Sequence, residues 1–367
     1  MGWLLLFLTI SLVVLIPINI FIARQIYKCD FIKKIKNKYF KIAVSLLFFY
    51  ITIILYIIDF VNANIIMIHF FFVLAFTKLI YMLLCMWKKK PKLKLGQEIT
   101  IVVSIIITAI YLSYGYYVAH NVVETHYEII SKKDLGVDSF RIVQITDSHV
   151  GATMDGDQFY DYMLEINKTN PDIVVVTGDY VDDDTSLVDM KKACEGLGAL
   201  KTKYGVYFAY GNHDKGYFDY RGYNNEDLKI ELAKNDVTIL EDEGLDIVGN
   251  IYLFGRRDKH EKNRQSADYF MKNIDQNKYV IVLDHQPNDY KNESEANIDL
   301  VISGHTHGGQ VFPLQIVDKI FGANNQIYGI EERKNTTFIV SSGIGDWRVK
   351  FKTGALAEYV VIDIKNK

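Results

Sequence analysis

The first third of the chain is built from four long apolar runs, 3–22, 42–58, 65–87 and 99–118, and Lys78 is the one Lys, Arg, Asp or Glu inside them. Each approaches the ~20 residues that a helix needs to cross the ~30 Å hydrocarbon layer of a bilayer, the second being the shortest. The pattern therefore predicts four transmembrane helices within residues 1–120. From Phe140 onward the rhythm changes. Short apolar runs at 141–146, 173–177, 206–210, 251–255, 280–283, 300–303 and 338–341 predict strands, and helical spacing predicts helices at 157–168, 187–200, 225–234 and 265–273. Such alternation defines an α/β domain at 139–367, large enough to bury its own core, with 121–138 expected as a linker.

The first run has no positive leader and no small-x-small cleavage site, and it exceeds the usual apolar core of a signal sequence, so it is expected to stay attached. Basic residues crowd the loop after the first run (Arg24, Lys28, Lys33, Lys34, Lys36, Lys38, Lys41) and the loop after the third (Lys88, Lys89, Lys90, Lys92, Lys94), whereas Asp59, Asn62 and Asn64 lie between the second and third. Cytoplasmic loops retain Lys and Arg, which places the N-terminus and everything after the fourth run outside the cytoplasm. Tyr111, Tyr114, Tyr116 and Tyr117 read as an interfacial aromatic belt. Lys78 and His69 are costly in lipid; a hydrogen bond inside a helix bundle, or a place near the headgroups, accounts for them more simply than a substrate path does.

Charge separates the two parts. Up to Val137 there are fifteen Lys or Arg against six Asp or Glu, and from Asp138 onward twenty-six against thirty-eight. An acidic α/β half argues against a nucleic-acid groove, which presents a basic stripe to phosphates. Cys29, Cys85 and Cys194 lie far apart and suggest neither a disulfide framework nor a thiolate metal site.

Polar blocks follow the predicted strands, where α/β folds place their ligands. They are Thr146-Asp147-Ser148-His149, Gly178-Asp179-Tyr180-Val181-Asp182, Gly211-Asn212-His213-Asp214, Asp284-His285-Gln286-Pro287 and Ser303-Gly304-His305-Thr306-His307-Gly308-Gly309-Gln310. Singly, each block has a plain explanation: an Asp after a strand caps a turn, and a lone His-x-His is weak. Together they hold five of the nine histidines. Carboxylate and imidazole donors without thiolate suit Mn, Fe or Zn. Arg256, Arg257 and His260 follow another strand and read equally as phosphate contacts or as a solvated loop. The run Asp182-Asp183-Asp184 reads as a solvated rim rather than a further metal site.

The ordered blocks Asp147-Ser148-His149, Gly178-Asp179, Gly211-Asn212-His213-Asp214, His285 and Gly304-His305-Thr306-His307 resemble those of the calcineurin-like metallophosphoesterase family, in its membrane-attached bacterial branch. The resemblance implies an α/β/β/α sandwich after the four-helix transmembrane region, and two divalent metal ions (Mn, Zn or Fe). It implies that Asp147, His149, Asp179 and His307 hold the first ion, and that Asp179, Asn212, His285 and His305 hold the second. It further implies that His213 protonates a leaving oxygen, with Asp214 orienting its ring; the rival reading has His213 bind a nonbridging phosphate oxygen. Ser148 stands where the family usually has leucine, and Gly345-Asp346-Trp347-Arg348 matches no substrate loop of the pattern.

The expected protein is thus a multi-pass cell-membrane phosphoesterase with its catalytic domain on the extracytoplasmic side. It would hydrolyse a phosphodiester, pyrophosphate or phosphomonoester by attack of a hydroxide between the ions, since two ions ~3.5 to 4 Å apart lower the pKa of a shared water and clamp an in-line displacement. Its expected partners are the bilayer and a phosphate ester, for which tethering alone suggests a lipid-linked or envelope molecule. Two other readings compete: a membrane sensor or transporter whose soluble domain binds a phosphorylated ligand without hydrolysis, and an enzyme whose helices are a mere tether.

Overall fold

The computed structural model describes residues 2–87, 97–216 and 221–367. The chain divides into two compact units, Met1–Tyr114 and Gly115–Lys367.

Among the described residues, two helices are long and apolar enough to cross a membrane, Phe60–Trp87 and Glu98–Ala119. The first apolar run lies within helix Gly2–Tyr27. The second departs from the expected single span: it is broken at Leu46 into helices Lys38–Ser45 and Leu47–Ile58. The Ser45 hydroxyl donates to the Lys41 carbonyl at 2.8 Å, a local bond that competes with the helical ladder at the break. The 12 residues of Leu47–Ile58 rise only about 18 Å, short of the ~30 Å hydrocarbon layer. The third helix begins earlier than expected because Asp59 caps it, accepting from the Asn62 backbone N–H at 3.1 Å and its side-chain amide at 2.8 Å. Lys78 donates to Gln25, and His69 Nδ1 lies 2.7 Å from the Ile65 carbonyl. The basic stretch after this helix lies outside the described residues.

The second unit is a four-layer sandwich. Its strands are β1 Val123–Ser131, β2 Ser139–Ile145, β3 Ile173–Thr177, β4 Val206–Ala209, β5 Val237–Ile239 and β6 Glu243–Val248, then β7 Ile251–Gly255, β8 Tyr279–Leu283, β9 Leu300–Ser303, β10 Gly329–Arg333, β11 Thr336–Val340 and β12 Glu358–Asn366. One sheet has the order β1-β12-β2-β3-β4-β5 and the other β10-β11-β9-β8-β7-β6. Within them β2 to β5 are parallel, as are β7, β8, β9 and β11, while β12 against β2, β6 against β7 and β10 against β11 are antiparallel. Both sheets are thus mixed.

Central strands such as Ile-Val-Val-Val-Thr (β3) are buried on both faces, which is why they read as continuous apolar runs. Ile142, Ile173 and Val175 from one sheet meet Leu253, Ile281 and Ile302 from the other in the middle layer. The outer face of the first sheet packs Val143, Val174 and Val176 on Phe159 and Met163 of helix Gly156–Ile166 and Met190 of helix Leu187–Gly198. The outer face of the second packs Val280, Val282 and Phe338 on Phe270 and Tyr290.

The segment 121–138 is not a linker. It carries β1, nine residues paired in parallel with β12, and its inward side chains include Ile129 and Ser131. Removing it leaves β12 as a bare sheet edge with a free row of N–H and C=O groups. A fragment starting at residue 121 should therefore melt at least about 5 °C above one starting at 139, and the shorter one should aggregate on heating; calorimetry with light scattering checks both.

Candidate metal centre

Every polar block leaves the carboxyl end of a strand. Asp147 and His149 follow β2, Asp179 follows β3, Asn212 and His213 follow β4, His285 follows β8, and His305 and His307 follow β9. The two sheets are tied together at this end: the Gln144 amide donates to the Ser303 carbonyl at 2.8 Å and to the Thr177 hydroxyl at 2.9 Å. The Asp147 carboxylate accepts from the His305 N–H at 3.0 and 2.9 Å, and Asp179 Oδ1 accepts from the His213 N–H at 2.8 Å.

The side chains converge as two groups. Asp147, His149 and His307 offer donor atoms within 4.8 Å of one another, and so do Asp179, His285 and His305. Asp179 joins the groups, with Oδ2 3.7 Å from His149 Nε2 and 3.1 Å from His285 Nε2. Asn212 is half-buried beside them; its Oδ1 lies 3.4 Å from the Gln286 amide. His285 Nδ1 lies 2.8 Å from the Thr177 carbonyl, so that nitrogen carries an N–H, and Nε2 is the atom turned to Asp179.

These residues suit divalent cations. Both ring nitrogens of His149, Nε2 of His285 and Nδ1 of His305 and His307 are buried without an aligned hydrogen-bond partner, each facing carboxylates or other imidazoles. Burial pushes His305 down to about 4 and His307 down to about 3, so both rings are neutral lone-pair donors near pH 7. For His285 burial pulls the same way, but the charge and contact of Asp179 outweigh it and hold the ring well above its ordinary value. A buried carboxylate flanked by orphaned imidazole nitrogens is the chemistry of an oxygen–nitrogen cation site.

The backbone pays for this convergence. Asp147, His149, Asp179, His305 and His307 all adopt positive φ, between 38° and 69°, in the region that favours glycine. Glycines then allow contact no side chain would. A Cβ on Gly211 would stand 2.3 Å from Asp179 Oδ1, and one on Gly304 would stand 2.1 Å from the Thr146 hydroxyl and 2.2 Å from Asp147 Oδ2.

Three expectations change. Asp214 does not touch the His213 ring: it is fully buried and accepts from the N–H groups of Asp179, Tyr180, Val181 and Gly211 at 3.0, 2.7, 3.1 and 2.6 Å, organising the loops instead. The partner of His213 is Asp182, whose Oδ1 is 3.1 Å from Nδ1. Asp182 and Asp183 are buried, so the triple-Asp run is not a solvated rim; only Asp184 is exposed, where it pairs with Arg348 at 2.8 Å. Burial raises the cost of charge on Asp182, yet His149 and His213 beside it hold its carboxyl well below the usual range.

Arg256 is no phosphate clamp. It is 2% exposed and its guanidinium is consumed by Asp284, Asp289 and Glu293 at 2.9, 3.0 and 2.9 Å. Arg257 lies beside Asp242, 3.8 Å away. His260 is exposed but contacts Asp258 and Gln286, each at 3.0 Å, and through Gln286 it is linked to Asn212.

Sequence reasoning also missed Asp346, Trp347 and Lys352. Asp346 and Lys352 are fully buried, 3.1 Å apart, and Asp346 Oδ1 lies 3.5 Å from His307 Nδ1, so a carboxylate held by an ammonium backs the ring of His307. The Trp347 ring sits 5.5 Å from that of His213. The available signal was Gly343-Ile344-Gly345-Asp346 after a strand, the same kind of Gly/Asp block as the others.

Comparison with known proteins follows this geometry. The calcineurin-like phosphoesterase profile matches residues 140–309. An uncharacterized metallophosphoesterase of Campylobacter jejuni is 31% identical over 312 residues, 81% of this chain and 78% of its own length. One from Helicobacter pylori is 34% identical over 62% of this chain, which spans 60% of it. A transmembrane protein with metallophosphoesterase domain of Danio rerio is 28% identical over 72% of this chain and 62% of its own. The chain belongs to the calcineurin-like phosphoesterase family, hydrolases of phosphoric ester bonds.

Gly304→Ala tests the crowding directly. The added methyl must displace Thr146 and Asp147, so bound metal measured by plasma mass spectrometry should fall at least about tenfold while Phe159 and the helix-side core stay packed, as judged by near-UV dichroism.

Proposed function

We propose that the protein is a membrane-anchored, two-metal phosphoesterase that cleaves a P–O bond in a phosphodiester, pyrophosphate or phosphomonoester. The observation that carries this reading is the pair of donor groups sharing Asp179, with His213 at their edge. Asp147, His149, Asp179 and His307 would hold one cation, and Asp179, Asn212, His285 and His305 the other. When bound, two such ions supply positive charge to the phosphate oxygens and acidify a water between them.

The chain's own residues do the rest. His213 is proposed to hand a proton from Nε2 to the leaving oxygen, with Asp182 taking the opposite ring nitrogen at 3.1 Å and fixing the tautomer. Trp347 lies beside that ring, 5.5 Å between ring centres. Asp346, braced by Lys352, orients His307. The spans Phe60–Trp87 and Glu98–Ala119 support anchoring, as does the name of the Danio rerio relative. The unequal Lys and Arg content of the connecting segments supports a multi-pass arrangement with the α/β unit on the extracytoplasmic side.

The test is hydrolysis of bis-p-nitrophenyl phosphate and p-nitrophenyl phosphate with Mn, Zn or no added metal. Turnover should require metal and disappear in Asp179→Asn. His213→Ala should lower kcat about 100-fold or more, and Asp182→Asn about tenfold, with KM little changed. Folded, metal-loaded protein that is inert on these esters, on pyrophosphate and on lipid phosphates would instead support a binding or sensing domain.

A further inference from the structure

Helix Leu314–Phe321 begins seven residues after His307 and is built inside out. Its sequence, Leu-Gln-Ile-Val-Asp-Lys-Ile-Phe, puts the apolar residues on one arc and Gln315, Asp318 and Lys319 on the other. In a surface helix of a soluble domain the apolar arc faces the core. Here the polar arc faces the protein: the Gln315 amide donates to the carbonyls of Gly308, at 2.6 Å, and Gly354, and Asp318 accepts from the Asn324 amide at 3.1 Å. None of the helix's residues is buried. Leu314, Ile316, Val317, Ile320 and Phe321, with Phe312 just before them, point outward, Ile320 at 72% and Phe321 at 80% exposure. Nothing among the described residues covers this face, and its side chains are larger and more contiguous than scattered surface apolar residues.

The connections of this helix say what covers it. Helix Gln97–Ala119, whose body is apolar enough to cross a membrane, ends in Gly115–Ala119, and there the Lys352 N–H donates to the Gly115 carbonyl at 3.0 Å. The same strap reaches the base of the outward helix: the Phe312 N–H donates to the Thr353 hydroxyl at 3.0 Å, and the Thr353 N–H to the Gln310 carbonyl at 2.9 Å. Thr353 also lies so close to Gly115 that a Cβ there would stand 2.6 Å from its methyl. Tyr116 and Tyr117, both exposed, flank this junction as interfacial tyrosines do. The outward apolar face is therefore fastened to the carboxyl end of helix Gln97–Ala119.

We infer that helix Leu314–Phe321 embeds its apolar face in the surface of a lipid bilayer, holding the loop of His305 and His307 at headgroup depth. An amphipathic segment with one apolar arc lies in that plane, its polar arc turned to the protein or to water. Resting on the phosphoesterase reading above, the substrate class follows: an amphiphile whose phosphate ester is presented by the membrane surface.

The test uses the full chain reconstituted in phosphatidylcholine vesicles. An environment-sensitive fluorophore is placed at Ile320→Cys in a Cys85→Ser background, since Cys29 and Cys194 are buried, and a control is placed at exposed Lys229→Cys. The label at 320 should shift to the blue and be quenched by nitroxide lipids, and the one at 229 should not. A label at 320 that stays aqueous overturns the inference, and so does one shielded from water yet beyond the reach of nitroxide lipids, which would mean a protein covers the face. In a second arm, Ile320→Asp with Phe321→Asp should cut hydrolysis of a vesicle-borne lipid phosphodiester at least about tenfold and leave soluble bis-p-nitrophenyl phosphate turnover within about twofold. Equal retention of both activities overturns the substrate assignment. An embedded label on a protein inert toward both esters would leave the docking intact and refute the phosphoesterase reading instead.

Discussion

The carboxylate of Asp179 is the constraint around which the α/β unit is arranged. It leaves the end of β3 and faces His149 from the next strand, His285 from the opposite sheet and the His213 backbone N–H. Asp147, Asp182, Asp214 and Asp346 are buried around it, and only Asp346 among them is paired with a buried ammonium, Lys352. Burying like charges is costly unless opposite charge or aligned donors compensate. Asp214 is compensated by four N–H groups, though burial and the charge of Asp179 still push it up to about 6. Asp147 and Asp179 accept fewer backbone N–H bonds, and His305 and His307 nearby are neutral rings that supply lone pairs rather than charge. That imbalance is what a divalent cation corrects.

Convergence of this kind strains the chain. Five residues carrying the candidate donors occupy the left-handed region, where a side chain costs of order 1 kcal/mol or more each, so the site draws on the stability of the sandwich beneath it. The sandwich can supply it, because the central strands are apolar on both faces and sealed by helices. The Gln144 amide, held by Thr177 of its own sheet and donating to Ser303 of the other, ties the two sheets together at this rim. Asp214 illustrates the same division of labour: it ties the loop after β3 to the loop after β4 so that its neighbours can do chemistry.

Much of this was legible in the sequence, for a physical reason. Strands buried on both faces, β2, β3, β4, β7, β8, β9 and β11, are continuous apolar runs, and the Gly, Asp and His blocks at their ends announce both the strand terminus and the donors. What failed was anything set by partners distant in sequence. β10, Gly-Ile-Glu-Glu-Arg, is an edge strand with no apolar stretch, and β1 looks like a linker until β12 pairs with it. Arg256 resembles a phosphate ligand because its three carboxylate partners stand 28, 33 and 37 positions away. Asp214 misled because adjacency in sequence on a turn sends consecutive side chains in different directions, whereas Asp182, 31 positions from His213, arrives at its ring. The break at Leu46, between Lys38–Ser45 and Leu47–Ile58, is likewise a local feature that hydropathy does not register.

The inverted helix is the sharpest departure from soluble-protein patterning, and the rest of the chain rules out indifferent packing as its cause. Helices Gly156–Ile166 and Leu187–Gly198 turn Phe159, Met163 and Met190 inward, and the former opens with a complete capping box. A chain that patterns those helices correctly spends Gln315 on two inward hydrogen bonds while leaving Ile320 and Phe321 in the open. In water that arrangement forfeits apolar burial for no return. Against hydrocarbon it costs nothing, and the Gln315 bond to the Gly308 carbonyl then passes the constraint of the lipid surface to the backbone immediately beside His307. The same residue that holds the helix polar side inward thereby couples the position of the metal loop to the surface the helix rests on.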